Sequence, residues 1–401
     1  MGGIAGAYPI LYWATFALLA AAIAYLLVLT AAAFLTPAAT KGGGPTHFRF
    51  ALLVPAHNEE PLLGELLRSL NALDYPRDRY RVFVVADNCT DATAAIARAH
   101  GAVVYERADS ERRGKGHALQ WLLEQVAARG EEHDAFVIFD ADSLVAPDFL
   151  QAMAAELARG REALQGHYSV RNPAEGTGAA LRFAAYALVN FLRPLGKNAL
   201  GCATGLKGNG MCFSARVIAR HGWSAHSLAE DAEYGVKLLL DQVPVHFVPG
   251  ARVWAQMPPA VRQSESQNLR WEAGRLLVAR RCVPTLLQRA LRRGDLVLLE
   301  AALDLMIPPL STLAAGVLLI AGAAWLGPPL AGARPAALLL AAALTTHVVA
   351  GLARVRAPAV VWRALGHVPA YCLWKLALYA RALLRKPPSA WVRTRRFSPG
   401  R

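Results

Sequence analysis

Two aspartates one residue apart, Asp140 and Asp142, are the first side chains of this 401-residue sequence whose type and spacing suggest chemistry. They end a short apolar run, residues 135–139, that predicts a buried strand. Ligands of open α/β sheets bind beyond the carboxyl ends of such strands. If the backbone stays extended, both carboxylates project to one side and can face one hard cation and the phosphates that it bridges. Solvated aspartate pairs at strand ends are common, so this pair needs support from other residues.

Acidic residues also follow the first two predicted strands. Glu59 lies in the segment 54–60, VPAHNEE, and Asp87 begins the segment 87–91, DNCTD. Because the carboxyl ends of adjacent parallel strands meet at one edge of a sheet, both residues are candidates for binding the base and ribose of a nucleotide. An Asn or Asp that caps a helix would give the same local pattern.

Charged side chains at predicted helix starts are the next candidates. Lys115 lies on the glycine-rich turn 113–116, RGKG, where backbone amides at a helix start favour phosphate. Glu230 and Asp231 open a helix that runs to residue 241, and Asp231 is a candidate general base for an acceptor hydroxyl. A plain turn in the first case and a favourable helix dipole in the second would explain the same residues.

Two further segments contain candidate ligand contacts. The segment 205–210, GLKGNG, is too rich in glycine for a helix interior and indicates backbone that a ligand approaches closely, with Asn209 and Gly210 as candidate acceptor contacts. The segment 267–271, QNLRW, lies on a predicted helix. Arg270 can pair with a diphosphate and Trp271 can present a flat apolar face to a sugar ring. A tryptophan on an amphipathic helix can equally be an interfacial anchor.

The elements that must position these side chains alternate between strands and helices. Apolar or alternating segments predict strands at 50–56, 81–86, 103–106, 136–140, 163–170 and 245–248. Amphipathic runs predict helices at 59–73, 91–99 and 116–128. This order predicts an α/β fold, with an open and mostly parallel sheet and helices on both faces. We assign it to a domain of residues 41–260, which follows a glycine-rich linker at 36–46.

Composition indicates a membrane protein. Apolar residues make up 55% of the chain and the mean hydropathy is +0.28, which is high for a soluble enzyme. The net charge of +14 would suit nucleic acid, anionic lipid or an anionic substrate. Basic residues crowd into 262–293 and 381–401 beside apolar stretches, which favours a lipid bilayer and argues against nucleic acid. The five cysteines form no Cys/His cluster, which argues against a zinc site or a disulfide framework.

The chain outside this domain predicts membrane segments. Residues 8–35 contain no charged side chain and are long enough to span a bilayer, so we expect a transmembrane helix and linker at 1–40. The first positive side chain, Lys41, follows this span and predicts that the domain lies in the cytoplasm. Residues 264–293 predict two basic amphipathic helices inside an interfacial region at 261–300.

Two apolar spans, at 305–326 and 335–353, predict two transmembrane helices in the region 301–356. The last apolar segment, residues 358–384, contains Arg363, Lys375 and Arg381, and charges at this spacing do not suit an ordinary span. We therefore predict an interfacial or re-entrant helix and a basic cytoplasmic tail at 357–401. Together these segments predict a multi-pass plasma-membrane protein with three spans and a cytoplasmic C-terminus.

The motifs VPAHNEE, DNCTD, DADS, AED and QNLRW occur in this order between residues 54 and 271. In order and spacing they resemble the D, DxD, (T)ED, QxxRW series of membrane-embedded family 2 glycosyltransferases, which include cellulose, chitin and hyaluronan synthases. The similarity covers residues 51–275 and the flanking membrane segments. It implies a GT-A fold, a UDP-sugar donor and Mg²⁺ or Mn²⁺ held by the DxD motif.

The resemblance also implies roles for individual side chains. The residues implied to contact the donor are Glu59, Asp87, Lys115, Asp140, Gln267, Arg270 and Trp271. Asp140 and Asp142 would hold the metal and the diphosphate. Asp231 would be the catalytic base, with Glu230 beside it, and Trp271 would also contact the acceptor. Ala229 stands where the family usually has threonine, and the FxVTRQK loop of cellulose synthase is absent.

The predicted function is metal-dependent, inverting transfer of a sugar from a UDP-sugar to a hydroxyl of a membrane-associated acceptor, lipid-linked or saccharide. The alternative is a processive synthase that polymerises and extrudes a β-linked glycan. A non-catalytic membrane component or a transporter is a rival of another class, and it leaves the acidic motifs without a shared role. No motif fixes the sugar, the acceptor or the oligomeric state.

Overall fold

The computed structural model describes residues 2–35 and 44–384, so most of the predicted linker at 36–46 and the tail beyond 384 lie outside the described residues. The strands of its sheet are β1 (Phe50–Ala56), β2 (Tyr80–Asp87), β3 (Val103–Arg107), β4 (Ala135–Ile138), β5 (Ser143–Val145), β6 (Ala163–Val170), β7 (Met211–Ser214) and β8 (Val245–Ala255). They lie in the order β3-β2-β1-β4-β7-β6-β8-β5. The four strands from β3 to β4 are parallel neighbours, as are β6 and β8. The predicted α/β fold with a mostly parallel sheet is confirmed.

Helices cover both faces of this sheet, which explains why its central strands are apolar throughout. The helices of this part of the chain are α2 (Glu60–Asn71), α3 (Thr93–Ala99), α4 (Lys115–Ala128), α5 (Phe149–Ala158), α6 (Thr177–Tyr186), α7 (Arg193–Ala199), α8 (Ala215–His221) and α9 (Glu230–Leu240). Along β1, Leu52 and Val54 belong to a buried cluster with α2 and α5. Ala51 and Leu53 point the other way and join a cluster with α4 and α9.

Most of the sheet follows the sequence-based prediction. The strands expected at 50–56 and 163–170 coincide with β1 and β6. The strand expected at 245–248 is longer, because β8 resumes pairing with β6 at Arg252 after an irregularity in the register. The short strands β5 and β7 were not predicted. Both are antiparallel to their neighbours and, at three and four residues, are too short to show an apolar period.

Two helices of the described chain are long and apolar enough to cross a membrane. They are α1 (Gly2–Leu35), whose apolar part is Ala7–Leu35, and a later helix at Ala333–Arg354. The two contact each other through Tyr12, whose hydroxyl donates to the carbonyl oxygen of Ala333 at 2.8 Å. The N-terminal candidate span is thus packed against the candidate span at Ala333–Arg354.

The span predicted at 305–326 is not one straight helix. The chain forms α10 (Glu265–Arg293), α11 (Leu296–Met306) and α12 (Leu310–Leu326), followed by the apolar helix α13 (Ala333–Arg354). Between α11 and α12 the axis bends by 66°, because Pro308 and Pro309 cannot continue the helical hydrogen bonding. The pair α11 and α12 can therefore form at most one broken span.

The prediction of two helices at 264–293 is wrong, because these residues form the single helix α10 of 29 residues. Helix α10 continues through Pro284, which removes one backbone hydrogen bond. Val278, Leu286 and Ala290 remain buried on both sides of this proline, in a cluster with α9 and α11. This packing holds the helix together across the proline and fixes α10 against the sheet domain.

The last apolar segment forms two helices, α14 (Ala359–Ala364) and α15 (Val368–Leu384). Lys375 of α15 is buried, and its Nζ donates to Glu272 Oε1 of α10 at 2.8 Å. One of the charges that argued against an ordinary span is therefore paired inside the protein. Helix α15 also packs against α12.

Candidate active site

The strand-end carboxylates meet at one edge of the sheet, as parallel pairing requires. Glu59 follows β1, Asp87 ends β2 and Asp140 follows β4, and β1 lies between the other two strands. A cavity of about 1470 Å³ opens at this edge. The predicted site residues that line it are Glu59, Asp87, Lys115, Asp140, Asp142, Glu230, Asp231, Gln267, Arg270 and Trp271.

The two aspartates of the DxD motif lie on a turn rather than on extended backbone. Strand β4 ends at Ile138, and the chain turns at Ala141 and Asp142 before β5. The assumption of an extended backbone was therefore wrong, although both carboxylates line the cavity. The backbone N–H of Asp140 donates to Asn209 Oδ1 at 3.2 Å, which fixes the start of the turn.

Asn209 and Gly210 do not line the cavity, and their placement argues against direct contact with an acceptor. Asn209 is fully buried, and its Nδ2 donates to Ser143 Oγ at 2.8 Å. Gly210 has a φ of +66°, and a Cβ at this position would lie 2.7 Å from Val253 Cγ1. The close approach indicated by the glycine-rich segment is made by the protein itself, and Asn209 positions the DxD turn.

Lys115 connects the DxD motif to the acids of α9. Its Nζ donates to Asp140 Oδ1 at 2.5 Å and to the carbonyl oxygen of Gly208, and it lies 4.0 Å from Glu230 Oε1. Burial acts to lower the pKa of Lys115, but the nearby carboxylates of Asp140, Glu230 and Asp231 raise it above its usual value. Lys115 therefore stays protonated. Only the protonated form can offset negative charge in this cavity.

Glu230 and Asp231 are two half-buried carboxyl groups at the first turn of α9. Burial and the charge of Asp231 raise the pKa of Glu230 to about 7, against the opposing effect of Lys115. Burial also raises the pKa of Asp231, although the backbone N–H of Ala232 and the charge of Lys115 oppose this. A carboxylate whose pKa is raised towards neutrality is a better proton acceptor than an exposed one.

Arg107, which sequence analysis missed, holds Asp87. Arg107 Nη1 donates to Asp87 Oδ1 at 2.6 Å, and both side chains are buried. Arg107 Nη2 also donates to Asp109 Oδ2 at 2.8 Å. A charged pair shielded from water in this way fixes the carboxylate of Asp87 at the cavity edge. No local sequence pattern singles out this arginine.

Arg182 is a second residue that sequence analysis missed. Its guanidinium carbon lies 4.9 Å from the ring centroid of Trp271, and its Nη2 donates to Asn268 Oδ1 at 2.7 Å. Arg182 lies on α6 and reaches the QNLRW segment of α10 across the cavity. The stacking holds the indole ring of Trp271 in one orientation.

The cavity extends from the sheet edge to the candidate membrane spans. Its lining there includes the half-buried side chains Leu310 of α12 and Val348 of α13, and the buried side chain Leu26 of α1. One continuous space therefore has an acidic, polar end at the sheet and an apolar end beside the candidate spans.

Residues 46–274, more than half of the chain, match the family described as glycosyltransferase like family 2. The chain belongs to this glycosyltransferase family. The match confirms the general resemblance that the ordered acidic motifs indicated. The narrower grouping with cellulose, chitin and hyaluronan synthases stays a prediction.

Individual relatives agree with the family. The glycosyltransferase is 29% identical over 235 residues to the beta-monoglucosyldiacylglycerol synthase of Synechocystis sp., a match that covers 56% of this chain and 47% of that protein. It is 24% identical over 237 residues to the probable glycosyltransferase YdaM of Bacillus subtilis, covering 56% of this chain and 55% of that protein. The matched part thus spans about half the length of these curated relatives.

A solved structure supports the fold. The mannosyltransferase PcManGT from Pyrobaculum calidifontis, in complex with GDP-Man and Mn²⁺, is similar over 94% of this chain and 99% of that chain. The TM-score is 0.56 and the sequence identity is 24%. This likeness confirms the GT-A-like α/β fold of the glycosyltransferase.

The residues at the DxD turn fit a divalent metal ion. Asp140 and Asp142 supply carboxylate oxygens, the donors that Mg²⁺ and Mn²⁺ prefer. Among the described residues, no group of three or more His, Cys, Asp or Glu side chains forms a metal site. Two carboxylates suit an ion that takes its other ligands from water and from the phosphates of a nucleotide.

The raised pKa values predict how activity depends on pH. A general base must be ionised, so a carboxyl group with a raised pKa is active above that pKa and loses activity as the pH falls through it. Glu230 and Asp231 titrate as a coupled pair with raised pKa values, about 7 for Glu230, so we expect kcat/KM to fall as the pH decreases through this raised range. In Glu230→Gln the loss should move to lower pH, because one neighbouring negative charge is gone. The pH profile of kcat/KM for both proteins tests this. A fall only near the usual carboxyl pKa of about 4 in the wild type would contradict it.

Proposed function

We propose that the protein transfers a sugar from a UDP-sugar to a hydroxyl group of a membrane-associated acceptor, with inversion at the anomeric carbon. The observation that carries this proposal is the single cavity of about 1470 Å³, which joins the strand-end carboxylates to apolar side chains of α1, α12 and α13. A water-soluble donor and an acceptor that stays in the bilayer need such a shared space. Family membership supports a nucleotide-sugar donor.

In this proposal, the sheet edge binds the donor. Glu59 and Asp87 contact the nucleoside, and the buried pair with Arg107 holds Asp87 in position. Asp140 and Asp142 hold Mg²⁺ or Mn²⁺, whose positive charge would offset the charge that develops on the leaving diphosphate. The choice of UDP rests on the motif series.

Basic residues add to the stabilisation of the leaving group. Lys115 is kept protonated by the surrounding carboxylates and lies beside Asp140. Arg270 lines the same cavity from α10 and can pair with a phosphate. Gln267 is buried, and its Oε1 accepts no hydrogen bond from the described residues, so this oxygen can accept one from a hydroxyl of the donor.

Asp231 is the proposed general base. It accepts the proton of the acceptor hydroxyl as the oxygen forms a bond to the anomeric carbon, while the bond from that carbon to the diphosphate oxygen breaks. The attack comes from the face opposite the leaving diphosphate, so one displacement inverts the anomeric centre. An α-linked sugar nucleotide then gives a β-linked product. Trp271, held by Arg182, provides a flat face against the sugar and the acceptor.

The acceptor is proposed to be a lipid or a lipid-linked saccharide. The apolar end of the cavity has room for hydrocarbon, and a relative is named for the glucosylation of diacylglycerol. The two apolar helices and the bent pair support attachment to a membrane. We further propose a multi-pass plasma-membrane protein whose glycosyltransferase domain faces the cytoplasm, as the position of Lys41 after the first span suggests.

The test is transfer of labelled sugar by purified protein in lipid with Mn²⁺, using a panel of UDP-sugars and separating lipid-extractable label from high-molecular-weight label. We expect label in the lipid fraction, and a β-linked sugar when the product is examined by NMR. An α-linked product would overturn the single displacement. Label in long chains would support a processive synthase instead, and no transfer from any UDP-sugar would overturn the proposed function.

A further inference from the structure

A group of charged side chains forms the wall of the cavity between the catalytic acids and the membrane helices. Arg193 and Lys197 of α7 face Glu300 and Asp304 of α11. Arg193 Nη2 contacts Asp304 Oδ1, and Lys197 Nζ lies 3.2 Å from both Glu300 Oε2 and Asp304 Oδ2. The hydroxyl oxygen of Tyr25 in α1 lies within hydrogen-bond distance of both carboxylates, 2.6 Å from Glu300 Oε1 and 2.9 Å from Asp304 Oδ1. Both carboxylates are therefore occupied by these partners.

Lys207 is a third cation in this wall. Arg193, Lys197, Asp304 and Asp231 all act electrostatically on Lys207, which places it between the charged wall and the catalytic base. The side chain lines the cavity and is half-buried. Within the described chain, its Nζ has neither an ion pair nor a hydrogen-bond acceptor. Of the three cations, Arg193 and Lys197 pair with Glu300 and Asp304, whereas Lys207 forms an ion pair with neither of these carboxylates.

The backbone at Lys207 is fixed, so the side chain is presented to the cavity by a rigid loop. The N–H of Lys207 donates to Gln165 Oε1 at 2.8 Å, and Gln165 Nε2 donates to the carbonyl oxygen of Asn209 at 2.8 Å. Gln165 is fully buried in β6. A loop built in this way does not need the lysine side chain for its own stability.

The charged form of Lys207 is disfavoured in this position. Burial lowers the pKa of Lys207 to about 8; Asp304 and Asp231 oppose this shift, and Arg193 and Lys197 add to it. At neutral pH the side chain is still mostly charged. A charge removed from water is stabilised by a partner of opposite sign. An anionic group of a ligand bound in the cavity can be this partner.

We propose that the acceptor is a lipid that carries an anionic phosphate group beside the hydroxyl to be glycosylated, and that Lys207 binds this phosphate. This inference rests on the proposed function and names its acceptor class. The half-buried apolar side chains Leu305, Leu310 and Val348 line the part of the cavity that takes the hydrocarbon chains. Lys207, supported by Arg193, takes the phosphate, and the hydroxyl lies towards Asp231. A glycerophospholipid with a free hydroxyl in its headgroup has this order of groups.

The reaction balances without a further reactant. The hydroxyl oxygen forms the bond to the anomeric carbon, its proton goes to Asp231, and the nucleoside diphosphate leaves with the electrons of the broken bond. The phosphate of the acceptor is not consumed. Lys207 is thus a specificity-determining residue that binds the acceptor.

The test compares phosphatidylglycerol and diacylglycerol as acceptors. Each is presented in phosphatidylcholine vesicles, and the donor is the UDP-sugar that supports transfer. Phosphatidylserine, which has no free hydroxyl, is added to the diacylglycerol vesicles so that both surfaces carry the same charge. We expect kcat/KM for phosphatidylglycerol to exceed that for diacylglycerol by about tenfold, the size expected for a charge-assisted hydrogen bond. In Lys207→Gln the ratio should fall close to one.

Lys237→Gln is the matched control, because Lys237 lies on α9 and pairs with Glu233 but does not itself line the cavity. This variant should keep the wild-type ratio. Equal rates with the two lipids, a preference for diacylglycerol, or an unchanged ratio in Lys207→Gln would overturn the inference and leave the proposed function intact. Transfer only to a lipid monophosphate without a hydroxyl would also overturn it. Because the readout is a ratio, partial unfolding of a variant does not imitate the expected result.

Discussion

Replacing Asp231 with asparagine is expected to reduce the rate of sugar transfer by about 10²–10⁴-fold, the usual contribution of a positioned general base. The amide has the size of the carboxyl group and can stay at the first turn of α9, but it cannot accept the proton of the acceptor. Binding of UDP should remain close to that of the wild type, because the proposed donor contacts lie on other elements. Turnover of labelled donor and calorimetric titration with UDP and Mn²⁺ measure the two effects separately.

The control for this variant is Asp241→Asn, at the opposite end of α9. Asp241 is half exposed, with its Oδ2 3.4 Å from His221 Nδ1, and it does not line the cavity. Its replacement should leave both transfer and UDP binding unchanged. If Asp231→Asn lost UDP binding and transfer to the same degree, Asp231 would have a structural role and the base would have to be another group.

Asp142→Asn is expected to remove the metal dependence of donor binding. The DxD turn supplies two carboxylates, so the loss of one should weaken binding of both the metal and the diphosphate. The rate of sugar transfer should fall by at least about 100-fold. The measurement is UDP binding with and without Mn²⁺. In the wild type, Mn²⁺ should strengthen binding strongly, and in the variant the two values should be nearly equal.

Asp148→Asn is the matched control, because Asp148 lies six residues later, before α5, and is half exposed beside Arg252. Its replacement removes the same charge from the same region without touching the cavity. If Asp142→Asn kept a full response to Mn²⁺, the metal would be held elsewhere and the role proposed for the DxD turn would be wrong.

The parts of the site that could be predicted from sequence are those that follow from strand order and local pattern. Glu59, Asp87 and Asp140 follow apolar segments, and parallel strands bring their carboxyl ends to one edge. The sequence therefore predicted their meeting without any knowledge of side-chain contacts. The ordered motif series predicted that Glu230 and Asp231 of α9 belong to the same site.

Contacts that depend on tertiary packing could not be predicted. Arg107 is twenty residues from Asp87 and reaches it because β3 lies next to β2. Arg182 stacks on Trp271 from a helix that sequence analysis did not single out. For the segment with Asn209 and Gly210, the pattern predicted backbone that a ligand approaches, whereas at Gly210 the close approach is made by Val253 of the protein itself.

The pair between Lys375 and Glu272 has a mechanical consequence. Both side chains are largely shielded from water, with exposures of 8% and 23%, so separating them would leave charges without partners. Helices α10 and α15 are therefore expected to move as one body. Since α10 carries Gln267, Arg270 and Trp271 while α15 packs against the apolar helix α12, any closing of these side chains over a sugar nucleotide must also shift a helix beside the bilayer. With these helices in a bilayer, as proposed, we expect the thickness and lateral pressure of the membrane to affect the step that encloses the donor.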